Sequence, residues 1–246
     1  MKPDRAQNEI IHGKILADNN PELIWGWESE AGNTRALRRA KLINLKARLK
    51  SVTKVLEIGC GTGIFTKLFA ETQAHLLAVD ISPELLNIAS QKKYKYKNVS
   101  FINKSFEECG INGPFDAVLG SSILHHLEMD NALSKIFDLL KPGGVMCFAE
   151  PNMLNPQIFL QKNIPWLKKK LGDSPDESAF LRWQLKNLLK INKFEDISIT
   201  PFDWLHPATP PLLINSIIKF GSVLEKIPIV REYAGSLIIY AKRPLE

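Results

Sequence analysis

Three glycines at every second position, Gly59, Gly61 and Gly63, follow the short apolar run Val55-Leu56-Glu57-Ile58 and precede a helical pattern that begins near Ile64. Glycine admits positive φ and lets another molecule approach where a Cβ would stand, so this strand-to-helix turn reads as a cradle for a small molecule. The helix start adds free backbone N–H groups and the positive end of the helix dipole. A dinucleotide fingerprint needs a small residue where Ile64 stands, which weakens a nicotinamide reading. Further on, His75-Leu76-Leu77-Ala78-Val79-Asp80 reads as a second strand that ends in a carboxylate, about twenty residues past the cradle, where nucleoside-binding α/β folds grip ribose hydroxyls. A ribose is expected, and a pyrophosphate is not required.

The second group of residues that could do chemistry lies later in the chain. His125 and His126 follow the apolar run Phe115 to Gly120, and Glu150 ends the run Val145 to Ala149. An imidazole titrates near neutrality, so a histidine here is the simplest general base for a hydroxyl. Adjacent residues point different ways on a helix or strand, so one of the two histidines is expected to reach an acceptor. His126, His125 and Glu150 are the candidate bases. No metal is expected, because Cys60, Cys109 and Cys147 have no ligand-like spacing and no His or carboxylate cluster stands out. An odd cysteine count suits a reducing compartment, and Cys60 reads as a small filler in the cradle.

Strand and helix patterns alternate from residue 51 to 152, which predicts a parallel sheet with helices on both faces. Ligands of such sheets lie outside the carboxyl ends of the strands, and that rim collects Gly59, Asp80, Ser105, Ser121 and Glu150. Ser82-Pro83 is a cap followed by a first-turn proline. Beyond Pro151 the rhythm breaks until Phe194 to Phe202 and Ser236 to Lys242, whose alternation predicts a closing antiparallel pair. The division expected is a single domain over 1–246, with an arm and helix in 1–50, the core in 51–152, and helical cover insertions in 153–193 and 203–235. Trp25-Gly26-Trp27 lies in the arm, where it either plugs a surface groove or folds over the cleft. Thr34 to Leu49 has helical spacing, with Arg35, Arg38 and Arg39 mostly off its apolar face.

The chain has 246 residues, 45% of them hydrophobic, and a net charge of +6. That length supports one substantial core. The mild positive charge permits an anionic partner without specifying one. No apolar run reaches membrane-spanning length and the N-terminus has no signal-peptide pattern, so the expected location is the cytoplasm. Lys92-Lys93-Tyr94-Lys95-Tyr96-Lys97 mixes basic and aromatic residues but falls where a helix should end, and reads as a solvated terminus rather than a nucleic-acid contact.

With these stretches in order, the sequence resembles the class I S-adenosylmethionine-dependent methyltransferases from about Lys54 to Asn152. The matching parts are Leu56-Glu57-Ile58-Gly59-Cys60-Gly61-Thr62-Gly63, Asp80, the stretch Phe115 to Leu127, and Leu140-Lys141-Pro142-Gly143-Gly144. The resemblance implies a Rossmann-like doubly wound α/β fold, with a mostly parallel seven-stranded sheet, an antiparallel last strand and a helical cover. It implies S-adenosyl-L-methionine as cofactor, leaving S-adenosyl-L-homocysteine, held by Glu57, Gly59, Cys60, Gly61, Gly63, Asp80, Ile81, Ser105, Phe106 and Ser121. Ser105 stands where the family usually has an acid for the adenine amino group. Arg38 is the candidate partner for the methionine carboxylate.

The expected acceptor is a small or lipid-like molecule, methylated at oxygen, with an anionic membrane surface as a second contact through Ile164 to Leu171 and Pro210 to Phe220. A nucleic-acid methyltransferase would need a basic face or an N-P-P-Y-like loop where Gly120-Ser121-Ser122-Ile123 stands. A non-catalytic binding protein would keep the cradle and lose the proton acceptor. Nothing in the sequence speaks to the oligomeric state.

Overall fold

The computed structural model describes residues 3–92, 97–108, 110–174 and 177–246. Lys93 to Tyr96 of the basic-aromatic stretch, and Cys109, lie outside these residues. The first elements are α1 (Pro3–Ala17), α2 (Pro21–Ile24), α3 (Glu30–Lys46), β1 (Lys54–Ile58), α4 (Ile64–Ala70), β2 (His75–Asp80), α5 (Pro83–Gln91) and β3 (Val99–Asn103). They are followed by β4 (Phe115–Ser121), a 3₁₀ turn (Leu124–His126), α6 (Met129–Leu139), β5 (Leu140–Pro151), α7 (Pro156–Asn163) and α8 (Pro165–Lys170). The chain closes with α9 (Arg182–Ile191), β6 (Glu195–Phe202), α10 (Pro211–Leu224), a second 3₁₀ turn (Val230–Tyr233) and β7 (Ser236–Lys242).

The strands form one seven-stranded sheet in the order β3-β2-β1-β4-β5-β7-β6. All neighbours are parallel except β7, which runs antiparallel to both β5 and β6. The closing antiparallel pair predicted from alternation is therefore present. The strand order reverses between β1 and β4, and a doubly wound sheet opens its ligand crevice at that switch point.

The two faces of the sheet follow from period-two alternation. Leu56, Val118, Met146 and Phe148 share a core with Leu133 and Ile136 of α6 and with Leu185 and Leu189 of α9. Val55, Leu119, Cys147 and Ala149 face the other way, onto Ala36, Ala40 and Ile43 of α3 and Phe65 and Phe69 of α4. Both layers are apolar because central parallel strands are covered on each side, so their sequences read as near-continuous hydrophobic runs.

Caps set where the helices begin. Ser82 accepts the Leu85 N–H at the start of α5, ahead of Pro83, and Ser29 caps α3 through the Gly32 N–H. Asn155 does the same for α7.

Within the expected cover insertion at 153–193, only part behaves as a cover. Helix α9 buries Leu185 and Leu189 in the sheet core, as its apolar spacing requires, whereas α7 and α8 bury no residue. The arm is more regular than its mixed polarity suggested. Helix α1 crosses the start of α5 so closely that a Cβ at Gly13 would come within 2.6 Å of Ser82.

Candidate active site

The crevice holds a cavity of about 430 Å³, inside the range of small-molecule sites, and the arm, the strand tips and α7 all contribute to its wall. Its floor is the glycine turn. Gly59 has φ +65° and donates to the Val79 carbonyl, and a Cβ there would overlap Ile123 at 2.4 Å. Gly61 has φ +51°, and its N–H donates to Asp80 Oδ2 at 2.7 Å, while Oδ1 accepts the Ser82 N–H at 2.9 Å. Burial pushes the Asp80 carboxyl above its ordinary value, opposed by those two backbone bonds. Each Asp80 oxygen keeps a lone pair for a further donor, which is what a ribose diol needs.

The arm closes over this floor. Thr62 donates its hydroxyl to Glu22 of α2 at 2.8 Å, and Lys92 pairs with the same carboxylate at 2.6 Å. Trp25 lies over Gly61, and Trp27 stands edge-on to Phe65 with ring centroids 5.4 Å apart. Both tryptophans line the cavity, so the arm covers the cleft.

Ile81, Ser105 and Phe106 line the far end of the cavity. The Ser105 hydroxyl is buried without a hydrogen-bond partner, an open polar position suited to the edge of a purine. Cys60 lines the cavity with its thiol raised by burial, which keeps it protonated. Glu57 and Gly63 do not line it. Gly63 caps α4, and Glu57 lies behind the cradle, where burial raises its carboxyl to about 8 against the opposing effect of Thr66.

Arg38 also lies away from the cavity, which corrects the sequence expectation. It binds Glu225 at 2.6 Å on a partly exposed face. Its neighbour Arg39 takes the inner position, with one guanidinium nitrogen 3.3 and 3.2 Å from the Ser121 and Ser122 hydroxyls and another bonded to Ser236. Asp203 binds Arg35 at 2.9 Å and lies 3.9 Å from Arg39. Burial, with Arg35 nearby, lowers Arg39 to about 10, so it remains a cation at neutral pH. One residue along a helix turns the side chain by about 100°, and the charge pattern alone did not say which arginine faces inward.

At the other end, His125 Nδ1 lies 2.6 Å from Glu150 Oε2, while Glu150 Oε1 accepts the Ile123 and Leu124 N–H groups at 2.9 Å each. His125 Nε2 is 3.3 Å from Glu177 Oε1. Burial works to lower this imidazole, but Glu150 and Glu177 outweigh it and raise it to about 9. His125 therefore carries a proton at neutral pH and is a poor base. Glu150 is fully buried behind it and does not line the cavity, so neither His125 nor Glu150 is poised to accept a proton. His126 does line the cavity, with Nδ1 3.1 Å from Glu9 Oε2, and Glu9 in turn accepts the Ser174 hydroxyl at 2.8 Å.

Glu9 and Glu177 were not among the sequence candidates. They come from α1 and from the segment after α8, too far along the chain for spacing to link them to the histidines. One ligand atom from each of His125, His126 and Glu177 falls within 4.8 Å of the others, a cluster that the sequence did not suggest.

Residues 55–144 match the methyltransferase domain family. The malonyl-[acyl-carrier protein] O-methyltransferase of Acetivibrio thermocellus is 30% identical over 143 residues, covering 57% of this chain and 50% of that protein. The demethylmenaquinone methyltransferase of Tropheryma whipplei is 27% identical over 203 residues, 75% of this chain and 82% of that one. The N-methyltransferase NodS from Bradyrhizobium japonicum WM9, solved with S-adenosyl-L-homocysteine, superposes with a TM-score of 0.65 at 16% identity, over 96% of this chain and 99% of that chain. The core of the chain, residues 55–144, is thus similar to methyltransferase domains, and its fold is that of the S-adenosyl-L-homocysteine-bound N-methyltransferase. It spans roughly half to two-thirds of the length of the first curated relatives it matches.

Proposed function

We propose that the chain transfers the methyl group of S-adenosylmethionine to the oxygen of a small or lipid-like acceptor. One cavity carries both halves of that chemistry, and this observation carries the reading. The glycine cradle, Asp80, Ser105, His126 and Glu9 all line it, the first three assigned here to the cofactor and the last two to the acceptor. The Arg39 and Arg35 guanidinia supply the positive wall for the methionine carboxylate.

The reaction is an in-line displacement. An acceptor oxygen attacks the methyl carbon, the carbon–sulfur pair stays on sulfur to leave S-adenosylhomocysteine, and the hydroxyl proton passes to the His126–Glu9 pair. Glu150 and His125 act as positioning residues behind it. Alignment and exclusion of water carry the remainder of the rate, and the arm with Trp25 provides both.

The relatives named above act on a malonyl-carrier protein and on demethylmenaquinone, by their names, which supports a small-molecule class. Among the described residues no helix is long and apolar enough to cross a membrane. The test is calorimetric binding of S-adenosylmethionine, followed by comparison of cell extracts incubated with the cofactor and either the native protein or His126→Ala. A metabolite heavier by one methylene is expected with the native protein alone. Tight NADH binding and no affinity for S-adenosylmethionine would overturn the proposal.

A further inference from the structure

We infer that the acceptor end of the cavity holds a divalent transition-metal ion, ligated by His125 Nε2, His126 and Glu177 and bridging to the acceptor oxygen. The three side chains offer ligand atoms that lie within 4.8 Å of one another. Two imidazoles and one carboxylate form a donor set suited to ions of the zinc, iron(II) and cobalt(II) kind.

Two features of the surroundings favour a cation there. First, the His125 ring is set as a metal ligand's ring is set. Its Nδ1 is held 2.6 Å from Glu150, whose other oxygen is fixed by two backbone N–H groups, and this orients Nε2 into the cavity. A carboxylate behind a ligating imidazole fixes its tautomer and strengthens it as a donor.

Second, the separation fits. His125 Nε2 and Glu177 Oε1 are 3.3 Å apart. Ligands about 2.1 Å from one ion stand roughly 3.0–3.4 Å from each other in octahedral or tetrahedral geometry.

This inference rests on oxygen methylation: an ion at this position would bind the acceptor hydroxyl and make it easier to deprotonate, and with His126 on the ion the proton would pass to Glu9. It selects acceptors with a second oxygen near the first, such as a vicinal diol or a hydroxy-carbonyl pair, that can chelate.

The experiment uses full-length protein stripped with a chelator. Calorimetry with zinc chloride and absorption spectroscopy with cobalt(II) chloride at neutral pH are expected to give one ion per chain and a cobalt ligand-field band. Glu177→Gln is expected to abolish the band. Glu150→Gln, which leaves the ligands in place but weakens the carboxylate behind His125, is expected to lower zinc affinity about 10- to 100-fold. Circular dichroism and S-adenosylmethionine affinity, measured on the same samples, report folding and the cofactor end. Native protein that binds the cofactor but no zinc or cobalt overturns the metal site and leaves the methyltransferase reading standing. So does a folded Glu177→Gln that binds zinc as tightly as the native chain. Protein that binds zinc but no S-adenosylmethionine overturns the proposed function instead.

Discussion

The Gly61 N–H donates to the Asp80 carboxylate at 2.7 Å, so the tip of β2 holds the glycine turn of β1 in its positive-φ shape. The same carboxylate accepts the Ser82 N–H and so fixes the start of α5. Asp80→Asn places an amide NH₂ against one of these two backbone donors and removes the charge offered to the ribose hydroxyls. Hydrogen bonds to a charged group are worth about 1.5–3 kcal/mol, so S-adenosylmethionine affinity should fall roughly 10- to 150-fold in calorimetry. Unchanged affinity in a folded Asp80→Asn would sink the assignment of the ribose to this carboxylate.

Neighbouring arginines should behave differently. Arg39→Ala strips the Ser121, Ser122 and Ser236 hydroxyls of their shared donor and leaves buried Asp203 with Arg35 alone. Breaking a buried ionic cluster in this way costs about 3–5 kcal/mol in denaturant unfolding, with weaker cofactor binding as well. Arg38→Ala removes a partly exposed pair with Glu225 and should cost no more than about 1 kcal/mol, with cofactor affinity unchanged. Equal losses for the two variants would contradict the inward placement of Arg39.

These contrasts mark what the amino-acid sequence could convey. The cradle, Asp80 and the sheet were legible because each depends on local rules: glycine spacing, a carboxylate at a strand end, and runs of apolar residues. The closing pair was legible from the alternation of Ile197 and Ile199 with Ile238 and Tyr240. Arg39 was not separable from Arg38, since the packing of α3 against the sheet, not composition, sets the helix's rotation. Glu9 and Glu177 were invisible because their meeting with His126 and His125 depends on how α1 and the segment after α8 fold back over the crevice. That juxtaposition is tertiary, and no short-range signal encodes it.

Glu57 predicts a pH dependence. Its carboxyl is raised to about 8 in the folded chain by burial, from an ordinary value of 4.5. Between those values the folded protein keeps a proton that the unfolded chain has released. The stability this group contributes is therefore complete below the lower value and lost as pH rises through the upper one, at no more than about 1.4 kcal/mol per pH unit. Glu57→Gln carries no such proton, so urea unfolding from pH 5 to pH 9 should show the variant gaining on the native chain as pH increases. Parallel profiles would show that Glu57 is ionised in the fold. Cofactor affinity is expected to be retained in the variant, because Glu57 does not line the cavity.

The cover carries the last prediction. Helix α10 buries Ile214 and Gly221 on one side, yet Leu212, Leu213, Phe220 and Val223 are 94%, 51%, 65% and 53% exposed. At about 100° per residue these four fall within roughly 100° of arc, opposite the buried pair, so the helix has an apolar face with nothing packed on it. Helix α8 adds Trp166, 66% exposed, ahead of the exposed Lys169 and Lys170. An apolar stripe and a basic cluster on the two cover segments match the interface of a membrane rich in anionic lipid, where each lysine near the surface adds about 1 kcal/mol. The protein should co-sediment with phosphatidylserine-containing vesicles at low salt and be released as salt increases. A Leu212→Glu, Phe220→Glu double variant should remain in the supernatant with its cofactor affinity intact, since neither residue lines the cavity. If the native protein stays in the supernatant at low salt, the lipid-like acceptor loses its support and a small polar acceptor becomes the better reading.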